Sequence, residues 1–157
     1  MTLLFQTRLK NLWKKPFYRL IGINAFMGYK QHLLIPTHAL GTLVGEHVRH
    51  GDNREYHDID VFYETTDKKD KVADIFFQAK ERTDCWIDRF DITPSYQKKN
   101  IGRDLYQYIE TNFFGKNHCI TIGLDGDPNT LEFWKKMGFQ PQSSLPKNDF
   151  TLMKKQL

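Results

Sequence analysis

The sequence predicts one domain of the α/β (α+β) class, a mixed, largely antiparallel sheet flanked by helices. Three observations predict it. Four strand-like runs follow one another between residues 40 and 92, divided by turn-rich or charged stretches. The last of them passes through a sharp turn into a segment of helical period, residues 101–114. A second capped helix then precedes two short closing runs near the C-terminus, and no internal repeat is visible.

A chain of 157 residues is long enough for a single domain with a real core. Its 39% hydrophobic and 27% charged content is that of an ordinary globular protein. No apolar run approaches the roughly 20 residues that cross a bilayer. The apolar start, residues 1–5, is too short for the core of a signal peptide, and basic residues follow it rather than precede it. Cys85 and Cys119 make no metal spacing and no disulfide framework; both fall in predicted strands and read as buried thiols. The cytoplasm is the expected compartment. The formal charge of +4 suits an acidic ligand but lacks the dense basic stripe of a nucleic-acid binder.

Residues 1–36 are the least legible. Arg8, Lys10, Lys14, Lys15 and Arg19 interleave with Leu9, Leu12, Trp13, Phe17, Tyr18 and Leu20, and Pro16 would end or kink a helix begun near Thr7. The pattern fits either a solvated helix with its apolar side packed on the domain or a membrane- or nucleic-acid-binding face. Residues 20–29, with Gly22 and Gly28, are open between helix and strand. From Ala39 the texture changes. Residues 40–45 and 58–63 read as strands about the turn Gly51-Asp52-Asn53, 65–71 as a charged loop, and 72–80 as a third strand. A hairpin turn at 81–84 leads to the fourth strand, 85–92. Four of the six histidines fall between His38 and His57, but His47-Val48-Arg49-His50 has neither the spacing nor the partners of a metal site. Loop histidines on the surface, or one near a substrate, are expected.

The helix over residues 101–114 would place Ile101, Leu105, Tyr108, Ile109 and Phe113 on one face, with Arg103, Asp104, Gln107 and Glu110 turned away. Gly115-Lys116-Asn117 closes it, and residues 118–124 form a fifth strand. Asp127 and Pro128 are an N-cap and first residue of the next helix, which Gly138 ends. Phe139 and residues 149–155 are the closing antiparallel strands.

The stretch from Thr93 to Leu105 organises the rest. Proline fixes φ and cannot donate to a ladder, so Thr93-Pro94-Ser95 stops the strand. Asn100 and Gly102 are the residue types that best tolerate left-handed backbone. A strand, a turn and a helix leave several N–H groups of the helix N-terminus converging on one point with positive partial charge, which suits a phosphate or other anion.

Two motifs here resemble the GNAT superfamily of N-acetyltransferases over about residues 72–157. Gln97-Lys98-Lys99-Asn100-Ile101-Gly102 looks like the family's acetyl-CoA loop, Gln/Arg-x-x-Gly-x-Gly/Ala. Asn129-Thr130-Leu131-Glu132-Phe133-Trp134-Lys135-Lys136-Met137-Gly138-Phe139 looks like its fourth helix, ending Phe-Tyr-x-x-x-Gly-Phe. The half before residue 72 offers no match. There are two departures: Asn100 stands where the family has its middle glycine, and Trp134 where it has the tyrosine that often protonates the leaving thiolate. Indole N–H is not a useful acid near neutral pH, so that role is not carried over.

The resemblance implies a single domain with splayed strands four and five, residues 1–71 forming an atypical acceptor side and 72–157 binding acetyl-CoA. The pantetheine arm would lie in the splay, and main-chain N–H groups of the turn would hold the pyrophosphate. The cofactor contacts implied are Phe90, Asp91 and Ile92 on strand four, Gln97, Lys98, Lys99, Asn100, Ile101, Gly102 and Arg103 in the loop and helix start, and Asn129 and Trp134 beyond. A strand-four N–H near residues 90–92 would meet the developing oxyanion. Alternation puts Trp86, Asp88, Phe90 and Ile92 on one strand face, with Ile87, Arg89 and Asp91 on the other. Asp88, among apolar residues, is the candidate general base, against the plainer reading of a salt-bridged or exposed carboxylate. Tyr96, Tyr106 and His118 are reserve candidates.

The function implied is an acetyl-CoA-dependent N-acetyltransferase, in which an amine of a small molecule or protein attacks the thioester directly in a ternary complex. No metal, nucleic acid or membrane is required, and a homodimer is open. Two rivals stand beside it. One is a GNAT-like CoA-binding or regulatory module without turnover, favoured by Asn100 and Trp134. The other is a nucleic-acid or membrane-surface protein working through residues 8–19.

Overall fold

The structure, a computed structural model, describes residues 30–51, 55–79, 84–116, 119–125, 127–142 and 151–157. Both readings of residues 8–29 lie outside these, as do residues 52–53 of the expected turn at 51–53, residues 81–83 of the expected hairpin turn at 81–84, and His118.

Among the described residues, eight strands form one mixed, largely antiparallel sheet flanked by helices, as the sequence predicts. They are β1 (Lys30–Thr37), β2 (Gly41–His50), β3 (Tyr56–Glu64), β4 (Lys69–Gln78), β5 (Cys85–Ile92), β6 (Cys119–Leu124), β7 (Gln140–Pro141) and β8 (Thr151–Gln156). Their order across the sheet is β1-β2-β3-β4-β5-β6-β8-β7, and only β5 and β6 are parallel. Helix α1 (Ile101–Phe113) joins β5 to β6, and α2 (Pro128–Lys136) follows β6.

Strand β1 is absent from the sequence reading. Among the described residues it is the first strand of the sheet, pairing with β2. It adds one to the numbering, so strands four and five of the sequence reading are β5 and β6. The histidine region also differs. Strand β2 runs on through His50, so His47 is a strand residue facing the core, not a loop residue. His57 on β3 joins it there, at 4% exposure.

The helix-covered face of the sheet carries Leu43, Ile59, Val61, Ile75, Phe77 and Ile87, all buried. Across that face His57 stacks on Phe77 (centroids 4.7 Å apart) and Phe113 meets both rings edge-on. Ile101, Leu105 and Ile109 bury the matching stripe of α1. Asp104 departs from its expected outward face, and Tyr106, which the apolar stripe leaves out, is buried with it. Asp104 and Tyr106 are 5% and 1% exposed, so the buried arc of α1 is wider than its apolar stripe. At the C-terminus Phe114 turns extended rather than yielding to a left-handed glycine. Helix α2 follows expectation. The Asp127 carboxylate accepts from the N–H and hydroxyl of Thr130, Pro128 opens the helix, and Gly138 closes it at φ 92°. No helix among the described residues is long and apolar enough to cross a membrane. Cys85 is buried and Cys119 half-buried.

Candidate functional site

Strands β5 and β6 pair only through Cys85–Ile87 and Ile120–Ile122. Beyond Ile87 they diverge, while β6 keeps its pairing with β8 as far as Leu124. The result is a wedge in the sheet whose apex lies at Asp88.

A β-bulge sits at this apex. Phe77 pairs with Ile87 and Phe76 with Arg89, leaving Asp88 as the extra residue. The bulge shifts the alternation by one. Ile87, Phe90 and Ile92 lie opposite Phe77, Ile75 and Ala73, all buried on the helix-covered face. Trp86, Arg89 and Asp91 lie opposite Gln78, Phe76 and Asp74 on the other. The simple alternation that groups Phe90 and Ile92 with Trp86 and Asp88 is therefore overturned, because period two holds only in an unbroken ladder. Phe90 packs against Phe133 and Trp134 of α2, with centroids 6.1 and 5.3 Å away.

The register also decides which backbone groups line the wedge. The Thr93 N–H donates to the Val72 carbonyl on the β4 side (2.9 Å). In an antiparallel ladder the bonding direction alternates, so Asp91 turns its main chain toward β4, and Phe90 and Ile92 turn theirs toward β6. The Gln97 amide reaching the Ile92 carbonyl (2.9 Å) agrees with that direction. Of the three strand residues expected at the cofactor, two aim their main chain into the wedge and Asp91 does not.

Asp88 is exposed on β5, yet partial desolvation raises its carboxyl above the ordinary value against the opposing pull of Arg89. Arg89 itself is held by two carboxylates, Asp74 (2.5 Å) and Asp58 (3.2 Å). That clamp fixes the residue immediately after the bulge.

At the wide end of the wedge the chain makes a 3-10 turn, Pro94–Tyr96, and then the loop into α1. Two of its residues take left-handed backbone, Lys98 at φ 59° and Asn100 at φ 61°. Asn100 bears out the expectation, and Lys98 adds a second left-handed position that its residue type does not signal. Gly102 is different from what was expected, since it is helical. A Cβ there would lie 3.4 Å from Phe133 and 3.6 Å from Ile92, so its smallness serves close approach rather than an unusual φ. Alternating left-handed residues before a helix start make a concave set of N–H donors of the kind that holds phosphates.

The loop is tied down on its flanks. Tyr96 donates its hydroxyl to Asp70 (3.1 Å), and Lys99 donates to the Ser95 carbonyl (2.9 Å) while lying over the Tyr96 ring. Burial and then the Asp70 bond raise the Tyr96 hydroxyl above the ordinary phenol value. Arg103 is half-exposed and leans on Asp104 (3.5 Å). Asn129 is exposed in the first turn of α2. Trp134, by contrast, is 2% exposed and surrounded edge-on by Phe90, Tyr106, Phe133 and Phe139. Its side chain is a core element. Tyr106 is buried beside Glu110, and burial carries its hydroxyl far above the ordinary range, so it is no proton donor near neutrality. Among the described residues no group of three or more histidine, cysteine, aspartate or glutamate side chains could hold a metal ion.

Comparison with known proteins agrees with this geometry. The profile of the acetyltransferase (GNAT) family matches residues 39–139. The match starts well before residue 72, so part of the half where the sequence alone offers no resemblance belongs to it. Among curated proteins, none matches the sequence. An acetyltransferase from Thermus thermophilus superposes with a TM-score of 0.56 at 15% identity, covering 66% of this chain and 65% of that one. This chain thus spans just under two thirds of the length of that structure. An acetyltransferase from Streptococcus agalactiae gives 0.50 at 17% identity, covering 67% and 69%. At such identities the likeness concerns the fold, and the family follows from the profile: this chain belongs to the GNAT family of acetyltransferases.

Proposed function

We propose that this protein is an acetyl-CoA-dependent N-acetyltransferase that delivers an acetyl group to a primary amine by direct attack in a ternary complex. The observation that carries the reading is the wedge between β5 and β6, with the main chain of Phe90 and Ile92 turned into it and the Lys98–Asn100 turn at its wide end. An extended pantetheine arm could pair with β5 there as a further strand would, which puts the pyrophosphate at the N-terminus of α1. Lys98, Lys99 and Arg103 add positive charge beside it.

In this reading an N–H of β5 within the wedge meets the oxygen of the tetrahedral intermediate, a donor fixed before reaction begins. Asp88 sits at the apex, where the acceptor amine must reach the thioester. Its raised pKa makes it a better base than an ordinary carboxylate for taking the ammonium proton, directly or through water. Bound geometry does the remainder, by making a bimolecular attack effectively unimolecular.

Calorimetry with acetyl-CoA tests the cofactor first, and absence of binding at about 10 mM, tenfold above a typical upper KM, would sink it. A panel of amine acceptors with acetyl-CoA, read by mass spectrometry, tests turnover. The second reading, a CoA-binding module that turns over weakly, is favoured by the buried Trp134 at the family's tyrosine position. It predicts CoA binding without acetylation of any amine in the panel.

A further inference from the structure

The tip of the β1–β2 hairpin reaches the start of α1, 66 residues away in sequence, through one carboxylate. Asp104 accepts from the His38 main-chain N–H (2.8 Å) with one oxygen and contacts the His38 ring at Nδ1 (3.1 Å) with the other. Arg103 lies 3.5 Å from the second oxygen. The Asp104 side chain is 3% exposed, whereas the His38 ring is 81% exposed.

The hairpin tip is itself well built for an anchor. The Thr37 hydroxyl donates to the Gly41 carbonyl (2.8 Å) and accepts from the Leu40 N–H (3.3 Å), and Gly41 takes φ 72°. On the helix side, the Asp104 N–H closes the first turn on the Asn100 carbonyl (3.1 Å). A continuous path therefore runs from the hairpin through the Asp104 side chain and main chain to Asn100, a left-handed residue of the anion cradle. Residues 97–100 are all exposed, so bonds such as this one must hold the cradle's shape.

A buried carboxylate in the first turn of the helix that faces an anion is costly unless other groups saturate it. Burial alone would raise the Asp104 pKa, but the bonds from His38 and the Arg103 charge outweigh burial and lower it. The carboxylate is thus committed to the hairpin while the helix N–H groups remain directed at the loop.

We propose that Asp104 is a positioning residue for cofactor binding, which with His38 latches the β1–β2 hairpin to α1 and holds the Lys98–Asn100 cradle in its anion-binding shape. The latch gives the N-terminal hairpin a part in binding the donor, not only in shaping the acceptor side. This inference rests on the cofactor reading above, and its test separates the two.

Asp104→Asn keeps the size and one acceptor oxygen but removes the charge. A lone charge effect and a latch then predict opposite signs. If Asp104 acted only as a negative charge near the anion, the variant would bind CoA more tightly. The latch predicts weaker binding, by roughly tenfold, the scale of one lost charge-assisted hydrogen bond. His38→Ala removes only the ring arm and should weaken CoA about twofold to threefold in the same direction. In steady-state assays KM for acetyl-CoA should rise while kcat and the amine KM hold. Hydrogen exchange by mass spectrometry on the ligand-free protein supplies a readout independent of CoA, with faster exchange expected in residues 98–104 of Asp104→Asn and none in β6 or α2. Unchanged exchange in that loop, unchanged CoA affinity, or tighter binding overturns the latch. If the wild type binds no CoA, the cofactor reading fails and the exchange result alone decides the latch.

Discussion

Lowering the pH from 8 to 5 should remove about 4 kcal/mol of folding stability through two buried histidines. His47 and His57 share a hydrogen bond between Nε2 and Nδ1 (3.0 Å) and stack within the Phe77–Phe113 cluster, at 1% and 4% exposure. In the neutral pair one ring donates and the other accepts. Protonating both would set two donors and two charges face to face. Burial is the main cause that lowers their pKa values, from 6.5 to about 4 for His47 and about 3 for His57; Arg49, His50 and, for His57, its partner add repulsion. Because the folded values are depressed, the unfolded chain binds protons first. Stability is therefore fully present above about pH 6.5 and is lost as the pH falls toward the folded values. At pH 5 each unfolded histidine gains roughly 2 kcal/mol over its folded form, and together they remove a large share of the ~5–15 kcal/mol typical of a domain.

Urea unfolding monitored by tryptophan fluorescence, at half-unit steps from pH 8 to 5, measures this slope. Raised carboxyls such as Asp58 and Asp88 act with the opposite sign at the acid end, so a matched variant is needed. His47→Gln with His57→Asn keeps an amide in place of each bonded ring nitrogen and cannot take up the proton. The difference between pH 8 and pH 5 should fall to under about 1 kcal/mol in that double variant. If wild type and variant show the same slope, the buried pair is not the acid-sensitive element.

Three further outcomes follow from the site and its surroundings. Asn100→Gly should raise stability by about 0.5–1 kcal/mol in chemical denaturation, since glycine takes a φ of 61° without the Cβ clash, and calorimetric CoA affinity should not fall. Asp88→Asn should reduce kcat/KM by about a hundredfold and flatten the acid limb of its pH profile; an unchanged limb removes Asp88 as the base. Trp134→Ala should cost about 3–5 kcal/mol in urea unfolding, as expected for emptying a core aromatic, and a loss under 1 kcal/mol would contradict its place in the cluster.

Much of the fold was legible because much of it is written in local chemistry. Pro94 stops β5, Asp127 and Pro128 begin α2, and Gly138 ends it, each through contacts within a few residues. The loop before α1 belongs to the same class, since Asn100 needs only its own backbone to declare a left-handed turn. What escaped has partners far away in sequence. Strand β1 is recognisable only by its pairing with β2. His47 and His57 are polar by composition, yet they are core residues, sharing a hydrogen bond and stacking in the Phe77–Phe113 cluster. Asp104 reads as a solvated helix position until His38 closes on it.

By itself, then, the sequence determined the class of fold, the helix boundaries and the left-handed turn ahead of α1, because turn chemistry and capping act over a few bonds. The tertiary structure alone decided the rest. A single bulge at Asp88 reverses which face Phe90 and Ile92 occupy, and the limited pairing of β5 with β6 opens the wedge. Both are properties of strand register, which depends on what the neighbouring strand offers and cannot be seen in one strand's own residues.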